Sequence, residues 1–260
     1  MSTSPVRISV SIDGHDWSGE QLDRLQHQRH LHVLHTMAAL GAPIPHEGRS
    51  LGSPEIDALT PHTARQLSIG IRGAYDIDGI TTLFREQLRA SDALWKQAVG
   101  NDAHAPLRAA VTDIEVQGMS LDDLGAHAAD PTAVEHNYRL LNPDHYFLRT
   151  EGERAHAMET FGMHANPTDM YITVDPDVRP VSPDPDHHRL TSGFTTLASD
   201  GTDIRMYAFH QVKPTPGGFA VKLGAYFPPH TPSDIVEGHK LHMAIEFREL
   251  CLLGIQSPRV

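Results

Sequence analysis

The chain is short of cysteine, of positive charge and of uninterrupted apolar runs, and each shortage removes a class of function. A single cysteine, Cys251, leaves no partner for an intramolecular disulfide. Its place in an apolar helical segment reads as packing. Lys and Arg number 21 against 33 Asp and Glu, a formal charge of −12. A duplex binder needs a basic surface, so no nucleic-acid partner is expected, and an anionic membrane surface is disfavoured for the same reason. No stretch reaches the ~18 apolar residues of a membrane span, and the opening residues hold no apolar run of the signal type. A cytoplasmic enzyme or binding protein is the expectation.

What is present is a globular balance of 39% hydrophobic and 21% charged residues over 260 positions, enough for one large domain or a domain with a sizeable appendage. The unusual count is 19 histidines. Histidine is the commonest metal ligand and titrates nearest neutral pH, so the excess points to metal or proton chemistry. A run of four, His27, His30, His32 and His35, lies in an amphipathic helical pattern whose stripe is Leu22, Leu25, Leu34 and Met37, and these four read as solvated.

Residues 1–108 read as a mainly helical N-terminal region packed on the core, with a short strand at Arg7 to Ile12, a helix from Glu20 to Leu40, only a short helix near His62 to Leu67, and a helix entered at Asp78 and left at Gly100. Residues 109–260 read as an α+β domain: a strand over Val111, Ile114 and Val116, an irregular or short-helical Asp122 to His136, then strand-like runs at Ala155 to His164, Asp169 to Val174, Arg189 to Leu197, Asp203 to Val212 and Phe219 to Phe227. Asp175 to Asp186 holds four prolines and reads as an extended loop. The last segment, Ser233 to Gly254, is a long helix with an apolar stripe of Val236, Met243, Phe247 and Leu250. A helix turns once every ~3.6 residues, so His242 and Glu246 project from one face of it, a pair able to hold a metal. A long helix across a curved antiparallel sheet leaves an elongated cavity suited to a hydrophobic small molecule.

Three pieces of the second half together resemble the diacetylphloroglucinol hydrolase family, which includes phloretin hydrolase. The first is GMSLDDLGAHAADPTAVEHNYRLLNPDHY, Gly118 to Tyr146, similar to that family's Gly-Met start, metal-binding histidine, Tyr-Arg/Lys-Leu step and Pro-Asp-His. The second is Glu159 in AHAMETFGMH, and the third is the His-x-x-x-Glu helix HKLHMAIEFREL. The resemblance implies a helix-grip fold like that of the START and birch-allergen superfamily, an antiparallel sheet wrapped on the C-terminal helix. It implies Zn²⁺ held by His127, Glu159, His242 and Glu246, and hydrolysis of a carbon–carbon bond between an acyl group and a phenolic ring, with a phenolic ketone or related β-diketone as substrate. A homodimer contact through the helical first half is compatible with it. Before His127 the family is rich in aromatics, whereas this chain has Ser120, Leu121, Asp122, Asp123 and Leu124, which leaves the substrate open.

Two nitrogen and two oxygen ligands suit Zn²⁺ and are compatible with Fe²⁺, Mn²⁺ or Co²⁺. Glu135 and His136 stand as alternatives to His127. His156 lies three residues before Glu159 but on the opposite face of a strand, and His239 reads as a neighbour of the ligands. Expelling a ring carbon requires a proton donor, for which His164, Tyr207, His210 and Tyr226 are the candidates. His187 and His188 fall in the proline-rich stretch and read as solvated. The alternative function is a non-metal helix-grip binding protein or polyketide cyclase, in which the His and Glu pairs are incidental.

Overall fold

The computed structural model describes residues 6–102, 104–128, 131–163 and 166–256, without the side chains at 125–128, 131–134, 136, 255 and 256. The chain is α+β. It opens with a hairpin of strands β1 (Arg7–Ile12) and β2 (His15–Trp17), followed by helix α1 (Gly19–Ala39), a small β3 (Pro45–His46) and β4 (Arg49–Ser50) hairpin, and helices α2 (Ser53–Asp57), α3 (Pro61–Gly73), α4 (Ile77–Leu83) and α5 (Arg85–Val99). Strand β5 (Arg108–Gln117) leads into helices α6 (Leu121–Ala128) and α7 (Pro131–Leu141). A meander then runs through β6 (His145–Glu151), β7 (Arg154–Glu159), β8 (Thr168–Val174), β9 (His188–Leu197), β10 (Asp203–Thr215) and β11 (Gly218–Phe227) into helix α8 (Ser233–Gln256).

The helical region is more continuous than its punctuation implies. Pro54 and Pro61 do not break helices but start them, each in a first turn where its missing N–H costs nothing. The short helix expected near His62 accordingly extends to Gly73. The segment between Asp78 and Gly100 divides at Phe84 into α4 and α5, and Asp76 caps the first of them by accepting from the Gly79 N–H.

All nine long strands form one antiparallel sheet in the order β2-β1-β5-β11-β10-β9-β8-β7-β6. β5 and β6 are consecutive in sequence yet separated by the whole meander, so α6 and α7 must cross the sheet between them. They pack beside α8. On β11, Phe219, Val221, Leu223, Ala225 and Phe227 alternate toward α8, whose Val236, Met243, Ala244 and Phe247 close the same buried core. Cys251 is fully buried there, which pushes its thiol up to about 12 and leaves it unreactive near neutral pH.

Besides adding β1 and β2 to the sheet, the first half of the chain packs on it through its helices. Trp95 of α5 stacks near Phe227 and donates its indole N–H to Thr168 of β8 at 2.8 Å. At the other end, Met158 of β7 and Tyr146 and Phe147 of β6 enter a second core with Val33, Leu34 and Met37 of α1, Ile80 of α4 and Phe84. β7 is thus covered on both faces, with Ala157 toward α8 and Met158 toward the N-terminal helices. His30 corrects the expectation of four solvated histidines: it is 2% exposed, while His32 is exposed. Gln26 and His30 lie one and two turns beyond Leu22, inside the stripe that enters the core. No helix among the described residues is long and apolar enough to cross a membrane.

Candidate metal centre

β6 and β7 pair so that His145 stands directly opposite Glu159, with a bulge immediately after His145. The bulge lets Tyr146 and Phe147 both enter the second core while His145 points the other way, toward α8. There His145 Nε2 lies 3.0 Å from His242 Nε2 and 3.5 Å from Glu159 Oε2, and His242 Nε2 lies 3.8 Å from Glu246 Oε2. Two nitrogens held at ~2.0–2.1 Å by one tetrahedral zinc would sit ~3.3 Å apart, so the observed spacings bracket the separation such an ion imposes.

The proton on His145 can be placed by chemistry. Its Nδ1 is 2.9 Å from the Tyr138 carbonyl oxygen, which only accepts, so Nδ1 carries the hydrogen and Nε2 presents a lone pair to the cluster. A metal-ligating histidine anchored through its other ring nitrogen has this arrangement. His242 Nδ1 is buried without a hydrogen-bond partner among the described residues. The donor set therefore fits a divalent cation: His145, Glu159 and His242 are buried, and Glu246 lies at the edge of the cavity with its side chain 38% exposed.

The loop that delivers His145 is clamped from three sides. Arg72 of α3, 1% exposed, donates to the carbonyls of Ser68, Arg139, Asn142 and His145. Arg29 of α1 grips the buried Asp144 carboxylate through two nitrogens. Asn142 donates from its side chain to the His242 carbonyl at 3.1 Å, fastening the loop to α8. The helical first half thus positions the site.

Electrostatically the cluster is a desolvated nest. Burial holds His145 down to about 3 and His242 well below its ordinary value, so both imidazoles are neutral, the state that binds metal. Burial pushes Glu159 up to about 7 although Tyr138 donates its hydroxyl to it at 2.5 Å. Partial burial at the cavity edge and the neighbouring Glu159 carboxylate push Glu246 up to about 8. A cation would favour the charged form of both.

Beside the cluster, Glu246 and Met243 form one wall of a cavity of about 420 Å³, closed by Leu121, Leu124, Leu223 and Phe247 with His210 among them. Leu121 and Leu124 come from the stretch that lacks aromatics. Leu190, exposed, lies at its rim.

The sequence candidates divide accordingly. Glu159, His242 and Glu246 are brought together, and the histidine the structure places with them is His145 of the Pro-Asp-His step. The His127 side chain lies outside the described residues, as does His164. His210 faces the cavity; burial lowers it to about 4 and its Nδ1 accepts from the Gly224 N–H. Tyr207 and Tyr226 are not brought to the cluster. Tyr226 alternates with Ala225 and Phe227, which face α8, so it and Tyr207, its direct cross-strand neighbour, occupy the opposite face of the sheet. Glu135 accepts from the Thr150 N–H, and His156 pairs with Asp169 at 2.7 Å beside Tyr171, so neither joins the cluster; the His136 side chain is outside the described residues. His187 lies 3.3 Å from Asp184 and His188 is exposed, both away from the centre.

No protein-family model matches the sequence, and no curated protein matches it.

Proposed function

We propose that this chain is a zinc-dependent hydrolase of the diacetylphloroglucinol hydrolase type, cleaving a carbon–carbon bond between an acyl group and a phenolic ring or in a related β-diketone. The observation that carries the reading is that His145, His242 and Glu246 form one group able to hold a metal, with Glu159 3.5 Å from His145, and that Glu246 also lines an apolar cavity of about 420 Å³. The strand order supports a helix-grip assignment, since β6 to β11 form an unbroken meander that β5 joins beside β11, all against α8.

His145, Glu159, His242 and Glu246 would hold the ion. When bound, a divalent metal polarises an acyl carbonyl and lowers the pKa of water toward ~7. The chain's own residues supply the remainder. Leu121, Leu124, Leu223, Met243 and Phe247 take the hydrophobic body of the substrate and exclude water from it. His210, neutral and on the cavity wall, is the group positioned to hydrogen-bond the substrate's polar edge and to pass a proton to the departing ring carbon. Tyr138 orients Glu159 through its hydroxyl and His145 through its carbonyl.

The decisive measurement is elemental analysis of untagged protein together with hydrolysis of 2,4-diacetylphloroglucinol before and after chelation. Stoichiometric zinc, and activity that chelation removes and zinc restores, are expected. Protein that binds no divalent metal under any loading condition would refute the reading and leave a non-metal cavity protein, the binding protein or cyclase alternative.

A further inference from the structure

His239 lies one turn before Met243 on the buried side of α8, and its ring stacks on His242 with centroids 4.7 Å apart. A ligating atom of His239 lies within 4.8 Å of those of Glu159 and His242. Proximity alone would therefore make it a fifth ligand. Its proton argues otherwise.

Gly162, in the turn after β7, donates its backbone N–H to His239 Nδ1 at 3.2 Å. A backbone N–H only donates, so Nδ1 must offer a lone pair, and a neutral imidazole then carries its hydrogen on Nε2. An imidazolium would carry hydrogens on both nitrogens, so the accepting Nδ1 itself requires a neutral ring. Binding metal through Nε2 would require either an imidazolate or a ring flipped away from Gly162, which would strand a buried N–H. His145 shows the opposite arrangement, with Nδ1 donating and Nε2 free to ligate. The turn is built around this contact: Gly162 has φ +65°, and a Cβ there would meet the Ile235 carbonyl oxygen at 2.0 Å, so only glycine brings the N–H this close to α8.

We propose that His239 binds no metal and is a positioning residue, a neutral imidazole with its hydrogen on Nε2, beside the Glu159 and His242 donors of the centre. The Tyr138 hydroxyl donates to Glu159, and a ring nitrogen of His239 lies within 4.8 Å of that carboxylate. The assignment of ligands rests on the metal reading above, whereas the tautomer does not.

Protein with ¹⁵N-labelled histidine tests both parts. In the metal-free state, long-range ¹H–¹⁵N correlation should show His239 with a pyridine-type Nδ1 and a protonated Nε2; a protonated Nδ1 would overturn the proposal. On loading ¹¹³Cd²⁺, one-bond cadmium coupling should split Nε2 of His145 and His242 and leave His239 unsplit. Splitting at His239 would also overturn it. If cadmium does not bind, the metal reading fails while the metal-free spectrum still decides the tautomer. His239→Gln, which keeps an N–H donor, should retain one cadmium per chain, and His145→Gln should bind it at least tenfold more weakly; equal losses in the two would count against separate roles.

Discussion

Replacing Gly162 with alanine should damage this protein far more than the loss of one hydrogen atom suggests. Three costs add at this position. A left-handed backbone costs a non-glycine residue about 1–2 kcal/mol, and Gly162 has φ +65°. The new methyl would lie 2.0 Å from the Ile235 carbonyl oxygen and 2.7 Å from its Cα, atoms of the α8 backbone that cannot rotate aside. Relieving such overpacking typically costs about 1–3 kcal/mol. Moving the turn away from α8 then stretches the Gly162 N–H···His239 contact, and an orphaned buried donor costs about 1–3 kcal/mol. The total is at least about 3 kcal/mol, which for a chain of this size is a fall in Tm of roughly 6–12 °C. Gly201→Ala is the matched control: φ there is +74°, but nothing lies within 4 Å of the added Cβ, so only the backbone strain applies. Urea unfolding of both variants in chelator compares them directly. If Gly162→Ala is within about 1 kcal/mol of Gly201→Ala, the close approach of the β7 turn to α8 is not what fixes the site.

Burial holds His30 down to about 2 against 6.5 in an unfolded chain. The unfolded state therefore takes up a proton below pH 6.5 that the folded state refuses, and stability falls as pH drops through that window. From pH 8 to pH 4.5 this single group should cost about 3 kcal/mol. His30→Leu should remove that part of the acid slope in denaturant titrations, and identical slopes for variant and wild type would contradict it. Arg29→Met should destabilise by about 3–5 kcal/mol, because it leaves the 0% exposed Asp144 carboxylate without its two-nitrogen partner. Adding Asp144→Asn to it should recover part of the loss, and a double-mutant cycle with no coupling would refute the role assigned to the pair.

The parts of this structure that were legible in the sequence are those fixed by local periodicity. The apolar stripe of α8 and the one-face placement of His242 and Glu246 follow from the helical repeat, and both are observed. The strand face of Tyr226 was equally readable. Phe219, Val221 and Leu223 alternate with Lys222, and extending that alternation to Ala225 and Phe227 sends Tyr226 to the face away from α8. The burial of His30 was also written in its spacing from Leu22. Proline was read too simply as a breaker, although at Pro54 and Pro61 the chain uses it to begin helices.

The histidine that completes the centre was not readable in that way. His145 was visible only as part of a Pro-Asp-His step, and β6 itself was missed because the strand follows a proline-bearing loop and carries two large rings in succession. What places His145 is its pairing opposite Glu159, a bulge that turns it from its neighbours, and a loop held by Arg72 and Arg29 from helices seventy or more residues upstream in sequence. None of these has a period. The same reasoning separates the three clustered histidines by function. All three lie close together, but a carbonyl at Nδ1 leaves His145 a lone pair on Nε2, whereas a backbone N–H at Nδ1 puts the hydrogen of His239 on Nε2. The chemistry of this site is thus set by which backbone atom each ring meets, and the fold determines that through the β7 turn and the loop before β6.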